Sequence, residues 1–193
     1  MKQLAIFISG SGSNMKTIVE NIKSAKITGA NAALVVSSSK DAKGLEYAEN
    51  SGIKTAVFSY KGLREEEVSE GLIALMREHR IDLIILAGFI KIIPEGLVKE
   101  YKNRILNIHP SLIPKYCGKG FYGIKVHEAV LAAGEKESGV TVHYVDEGVD
   151  TGQIILQKTC PVLEGDDAAS LQKRVLELEH QVYSEAIQRV LDA

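Results

Sequence analysis

Residues Asp82 to Ala87 read Asp-Leu-Ile-Ile-Leu-Ala, a run of consecutive apolar residues with no polar face. Such a strand has to be covered on both sides, and the crossover helices of a parallel sheet supply that cover. The rest of the chain follows the same rhythm. Ile6 to Ile8 is a first short apolar run, Ala33 to Val36 a second, Thr55 to Phe58 a weaker third, and Arg104 to Ile108 another. Between them lie amphipathic stretches. Met15, Ile18, Val19 and Ile22 fall at helical spacing, Ala42 to Ser51 is helix-like, and Leu63 to His79 carries Val68, Leu72, Leu75 and Met76 on one side. This β-α-β-α order predicts an α/β fold: a Rossmann-like open, mostly parallel sheet with helices on both faces and right-handed crossovers.

After Pro114 the pattern changes. Lys125 to Ala133 reads as a helix, and Gly139 to Val145 and Gln153 to Thr159 as two strands joined by an acidic, glycine-containing loop. A long C-terminal helix starts near Asp167, capped by Asp166 or Asp167. Its core stripe is Leu171, Val175, Leu178, Val182 and Ala186. Glu179 flanks that stripe on one side and Arg174 on the other; each is either a surface charge beside a buried seam or a group reaching a cleft.

The 193 residues show no repeat, linker or break in composition, so one domain spanning 1–193 is expected. A formal net charge of −2 offers no basic field for nucleic acid. No window approaches the roughly 20 apolar residues of a membrane span. The apolar start, Met1 to Ser9, is too brief for a signal peptide and reads as a first strand, which predicts a cytoplasmic protein. Cys117 and Cys160 stand far apart in no metal or redox spacing, as free thiols in a reducing compartment do.

Three segments carry chemistry. Ser9-Gly10-Ser11-Gly12-Ser13-Asn14 lies between the first strand and first helix. Glycines allow close backbone approach, and a helix start offers free N–H groups and a positive dipole end, which together make an anion site. Met15 stands where a dinucleotide fingerprint needs its third glycine, and the Gly-Lys-Ser/Thr ending of a P-loop is missing, so a phosphate monoester fits better than NAD or ATP. In Asn107-Ile108-His109-Pro110, alternation puts an amide and an imidazole on the same side after a strand, an arrangement suited to a developing oxyanion. The third segment, Val142 to Gly152, offers Asp146, Glu147 and Asp150 as partners for His109, and residue type does not choose among them. His143 in its alternating strand is read as structural. No HExxH or CxxC pair is present, so no metal is expected.

Ser-Gly-x-Gly-Ser-Asn at 9–14, Leu-Ala-Gly-Phe at 86–89, Asn-Ile-His-Pro-Ser-Leu-Ile-Pro at 107–114 and Val-His-x-Val-x-x-x-x-Asp-x-Gly at 142–152 together resemble the phosphoribosylglycinamide formyltransferase family, in family order along essentially the whole chain. The resemblance implies a catalytic trio of Asn107, His109 and Asp150. It implies that Gly12, Ser13 and Asn14 hold a substrate phosphate and that Glu179 holds the ribose hydroxyls. Phe89, Ile90, Lys91, Ile92, Ile93 and Val145 would lie beside the folate. Lys91 stands where the family often has Arg, and Cys117-Gly118 where many members have Pro-Gly.

The reaction so implied moves the formyl group of 10-formyltetrahydrofolate to the amine of glycinamide ribonucleotide in purine synthesis. An imidazolium at His109, sustained by Asp150, and the Asn107 amide would donate to the tetrahedral oxyanion. Small-molecule substrates are the expected partners, with no metal, nucleic acid or membrane, and a monomer or homodimer as the assembly. A formyltetrahydrofolate hydrolase, a non-catalytic phosphosugar-binding module and a dinucleotide-dependent oxidoreductase are the alternatives. The hydrolases resembling this chain carry an N-terminal regulatory domain, and the methionyl-tRNA formyltransferases an added C-terminal one. Chain length and the Gly-Ser-Asn loop favour the transferase.

Overall fold

The computed structural model describes residues 1–193. Seven strands form one sheet in the order β3-β2-β1-β4-β5-β6-β7. β1 (Lys2–Ile8), β2 (Ala30–Ser37), β3 (Lys54–Val57), β4 (Leu83–Leu86) and β5 (Ile105–His109) are parallel. β6 (Glu137–Tyr144) and β7 (Ile154–Pro161) extend the sheet antiparallel. The helices are α1 (Ser13–Lys23), α2 (Gly44–Asn50), α3 (Glu65–Glu78), α4 (Glu95–Glu100), α5 (Ile124–Ala132) and α6 (Ala168–Asp192). This is the mostly parallel α/β sheet that the apolar runs predict, with element ends displaced by a few residues. α4 has no counterpart in the sequence pattern, because six residues after Pro94 are too few to show a period.

Strand alternation divides the interior into two layers. Leu4, Ile6 and Ile8 of β1 face a core built with α1, α2, α5 and α6, while Ala5 and Phe7 face a second core built with α3 and α4. β4 does the same, with Leu83 and Ile85 on one face and Ile84 and Leu86 on the other. That explains its unbroken apolar run. The strand order reverses between β1 and β4, and crevices for ligands open at such points beyond the carboxyl ends of the strands. The 9–14 loop leaves β1 there and the 88–93 segment leaves β4 there.

α6 begins at Asp167, whose side chain accepts from the Ser170 N–H at 2.7 Å. Asp166 instead receives both terminal nitrogens of Arg174, at 2.6 and 2.9 Å, so Arg174 is committed to that pair and does not reach the cleft. Leu171, Val175, Val182 and Ala186 are buried as the stripe requires, Leu178 only partly, and Tyr183 and Ile187 join them. The fully buried Tyr183 hydroxyl donates to the carbonyls of Leu86 (2.8 Å) and Leu106 (3.1 Å), tying α6 to the ends of β4 and β5 beneath the crevice. Tyr183→Phe keeps the packing and removes these bonds. It is expected to lower stability by about 1–2 kcal/mol in urea denaturation; an unchanged midpoint would mean that the hydroxyl contributes nothing net.

Candidate active site

The loop after β1 turns sharply because Gly12 adopts φ 70°, a left-handed conformation that glycine takes without strain. A Cβ there would also stand 2.9 Å from Met15 Cε and 3.2 Å from Gly44 Cα. The first turn of α1 has no side-chain cap. Its free N–H groups and positive dipole end are therefore available to an anion. Gly12 and Asn14 are buried and Ser13 half-buried. Asn14 Nδ2 donates to Glu179 Oε2 at 2.6 Å, joining the loop to α6, while Asn14 Oδ1 is buried without a partner. Burial pushes the Glu179 carboxyl up to about 7, the Asn14 bond opposing it. Glu179 thus leaves the flank of its helix for the loop, and Arg174 does not.

The second cluster sits at the end of β5. Asn107 and His109 project to the same side, and antiparallel pairing sets Asn107 opposite His143. Asp150 meets them from the β6–β7 loop. Its Oδ2 lies 3.6 Å from His109 Nδ1 and accepts the Gly118 N–H at 2.9 Å. Its Oδ1 lies 3.4 Å from Asn107 Nδ2 and 3.6 Å from His143 Nε2. Asp146 turns elsewhere, accepting from Gly148 N–H (3.0 Å) and Thr151 hydroxyl (2.6 Å), and Glu147 is exposed. Geometry therefore separates carboxylates that residue type left equivalent.

Tautomers follow from the partners. His109 Nε2 lies 2.8 Å from the Tyr116 carbonyl, which can only accept, so the proton is on Nε2 and Nδ1 is the atom turned to Asp150. His143 Nδ1 likewise donates to the Tyr144 carbonyl at 2.8 Å, leaving Nε2 to accept from Asn107 Nδ2 at 3.2 Å. His143, read from sequence as structural, is a buried member of this cluster. His109 is 5% exposed, and burial holds it below the ordinary histidine value. The Tyr116 carbonyl and Asp150 pull the other way, and His143 adds to the lowering. The free site therefore favours neutral imidazole, where a standing imidazolium was expected. Burial would raise Asp150, yet the Gly118 N–H donated to its Oδ2 helps hold it below the usual carboxylate range.

The segment after β4 is mixed. Ile90 and Ile92 are 71% and 75% exposed and Lys91 is exposed, Phe89 is half-buried, and Ile93 turns into the core. Val145 packs, like Phe89, against the core that holds Ile93, and lines a groove of about 420 Å³ with Val98, Tyr144 and Gly152. No group of three or more His, Cys, Asp or Glu side chains is arranged to hold a metal ion, and no helix is long and apolar enough to cross a membrane.

An open α/β sheet with an uncapped helix terminus at its reversal and an amide–imidazole–carboxylate cluster at the end of β5 is equipped for acyl-group chemistry, a class that includes both transferases and hydrolases, and known proteins narrow it. Residues 2–187 match the formyl transferase family model. The chain is 40% identical over 192 residues to phosphoribosylglycinamide formyltransferase of Bacillus subtilis, covering 99% of this chain and 95% of that one. It is 41% identical to the chloroplastic enzyme of that name from Vigna unguiculata, covering 99% of this chain but 61% of the relative, so it spans under two thirds of that longer protein. The crystal structure of glycinamide ribonucleotide transformylase 1 from Symbiobacterium toebii superposes with a TM-score of 0.93 at 35% identity, covering 100% of this chain and 88% of that one. The chain belongs to the phosphoribosylglycinamide formyltransferase family.

Proposed function

We propose that this chain transfers the formyl group of 10-formyltetrahydrofolate to the primary amine of glycinamide ribonucleotide. The observation that carries the reading is the meeting of Asn107, His109 and Asp150 at the end of β5, on the same sheet edge as the uncapped α1 terminus. The terminus at Gly12, Ser13 and Asn14 receives the phosphate, Glu179 receives the ribose hydroxyls, and the folate lies along Phe89–Ile93 and Val145. The neutral amine attacks the formyl carbon, forming a C–N bond and a tetrahedral oxyanion. Asn107 donates to that oxygen. His109 takes the amine proton at Nδ1, and Asp150 sustains the imidazolium so formed. The proton then passes to the departing folate nitrogen as its bond to carbon breaks, leaving formylated ribonucleotide and tetrahydrofolate. Holding both substrates in one crevice removes much of the entropy cost of their meeting. No step calls for a metal, and the family's co-substrate is folate-derived.

Purified protein given both substrates is expected to form the formylated ribonucleotide at a rate unaffected by EDTA. Formate release that proceeds equally without the amine would identify a hydrolase instead.

Glu179 and Asn14 bear on a part of the ribonucleotide that does not react, so Glu179→Gln and Asn14→Ala should raise its KM more than they lower kcat. The loss is roughly 10-fold for one or two charge-assisted bonds. Burial pushes this carboxyl up to about 7, and its ionised form is the better acceptor for ribose hydroxyls. Ribonucleotide affinity should therefore fall as pH drops through that value. The phosphate titrates near the same range in both proteins, so the difference between wild type and Glu179→Gln isolates the carboxyl. Parallel affinity–pH curves for the two would remove Glu179 from the ribose site.

A further inference from the structure

The main chain from Gly88 to Ile93 makes a single hydrogen bond to the rest of the protein: the Ile90 N–H donates to Ser9 Oγ at 3.0 Å. Ser9 is the first residue after β1 and opens the loop that ends at Gly12. Its hydroxyl also lies 2.7 Å from Ser38 Oγ at the exit of β2. Because Ser9 Oγ accepts from Ile90, its own proton is free for Ser38, and the ends of β1, β2 and β4 are joined through this one oxygen.

Alternation along β1 explains why this position is available. Phe7 and Ser9 point to one face, where Phe89 packs edge-on against Phe7 with ring centroids 5.2 Å apart. Ile8 points to the other face, beneath the phosphate-type loop, where a Cβ on Gly44 would come within 2.6 Å of Ile8 Cδ1. The end of one strand therefore supports the two proposed substrate segments from opposite faces. Phe89 is anchored by apolar packing, but the exposed Ile90, Lys91 and Ile92 beyond it have only the Ser9 bond to fix their backbone.

We propose that Ser9 is a positioning residue for the folate: its hydroxyl sets the 90–92 backbone against which the folate binds, although it touches neither substrate. This rests on the reading of 89–93 as the folate segment. The same hydroxyl is itself held by Ser38 at the exit of β2, so the segment is fixed to the ends of two neighbouring strands.

Three measurements test the proposal. In wild-type protein without substrates, the Ile90 amide should exchange with deuterium more slowly than those of Phe89, Lys91 and Ile92. Ser9→Ala should raise the KM for 10-formyltetrahydrofolate about 3–10-fold, the scale of one net hydrogen bond. The ribonucleotide KM should stay within about two-fold in that variant, and Ser9→Thr, which keeps the hydroxyl, should recover most of the folate KM. Ile92→Ala serves as the comparator for the segment itself. An unchanged folate KM in Ser9→Ala beside a raised one in Ile92→Ala overturns the role of Ser9 and leaves the folate segment standing. Unchanged values in both overturn the folate segment and the proposal with it. Should Ser9→Ala not fold, an Ile90 amide that exchanges as fast as its neighbours in the wild type is sufficient to reject the idea.

Discussion

Asp150→Asn is expected to fold normally, to bind both substrates, and to lose about 10²-fold or more in kcat, the scale of acid–base and electrostatic contributions. Asparagine is the right replacement because Asp150 sits at φ 57°, a left-handed backbone that Asn and Asp tolerate better than other side chains. The amide can still accept the Gly118 N–H at the Oδ2 position, so the loop keeps its anchor. What disappears is the negative charge 3.6 Å from His109 Nδ1. Burial already lowers the His109 pKa, and the variant removes one of the two influences that oppose it. A base that must be neutral to accept a proton loses activity as pH falls through its pKa. That acid limb therefore lies below the ordinary histidine value in the wild type and moves lower still in Asp150→Asn. NMR titration of the imidazole should follow the same shift.

The neighbouring carboxylates provide the comparison. Asp146→Asn keeps an oxygen for Gly148 N–H and the Thr151 hydroxyl and should leave kcat within a few-fold, a change on the scale of one net hydrogen bond, ~1 kcal/mol. Glu147 makes no contact in the cluster. Near-native kcat in Asp150→Asn together with a collapsed rate in Asp146→Asn would assign the wrong carboxylate to His109.

How far the sequence could be read depended on whether the information was local. Buried strands announce themselves in residues such as Leu83 to Leu86, because being covered on both faces forces an unbroken apolar run. The turn at Gly12 and the cap at Asp167 are also local chemistry. Convergence is not. The importance of His143 comes from an antiparallel register that sets it opposite Asn107, and one residue of slip would have turned it to the other face. Arg174 and Glu179 flank the same stripe almost symmetrically, yet one closes on Asp166 and the other on Asn14, partners 8 and 165 residues away. Asp150 differs from Asp146 through Gly118, His109 and Asn107, all more than 30 residues away in sequence, and through His143 on the neighbouring strand. The lowered basicity of His109 depends on its burial in the folded chain, which no short window around residue 109 encodes.

Asn107→Ala is expected to cost about 10²–10³-fold in kcat with little change in either KM, as loss of a donor aimed at developing charge does elsewhere. The substitution is mild for the fold: Asn107 is half-buried in β5, and its amide is bonded only to side chains of the cluster, His143 at 3.2 Å and Asp150 at 3.4 Å. Those two contacts hold Nδ2 at the reacting edge before substrate arrives and occupy both of its protons, so one of them, the longer bond to Asp150, is exchanged for the oxyanion as it forms. Asn107→Asp tests the same point with nearly the same shape. It replaces a donor by an acceptor and places a second carboxylate beside Asp150, where like charges raise one another's pKa. It should be at least as impaired as the alanine variant. The imidazole titration separates the two roles. Asn107 is not among the groups that set the basicity of His109, so Asn107→Ala should leave the His109 pKa close to the wild type while Asp150→Asn lowers it. A slow Asn107→Ala enzyme with an unshifted His109 is the signature of an oxyanion donor. A slow enzyme whose His109 moves as far as in Asp150→Asn would make Asn107 a support for the His109–Asp150 pair. Only the first outcome leaves the formyl oxygen with its proposed partner.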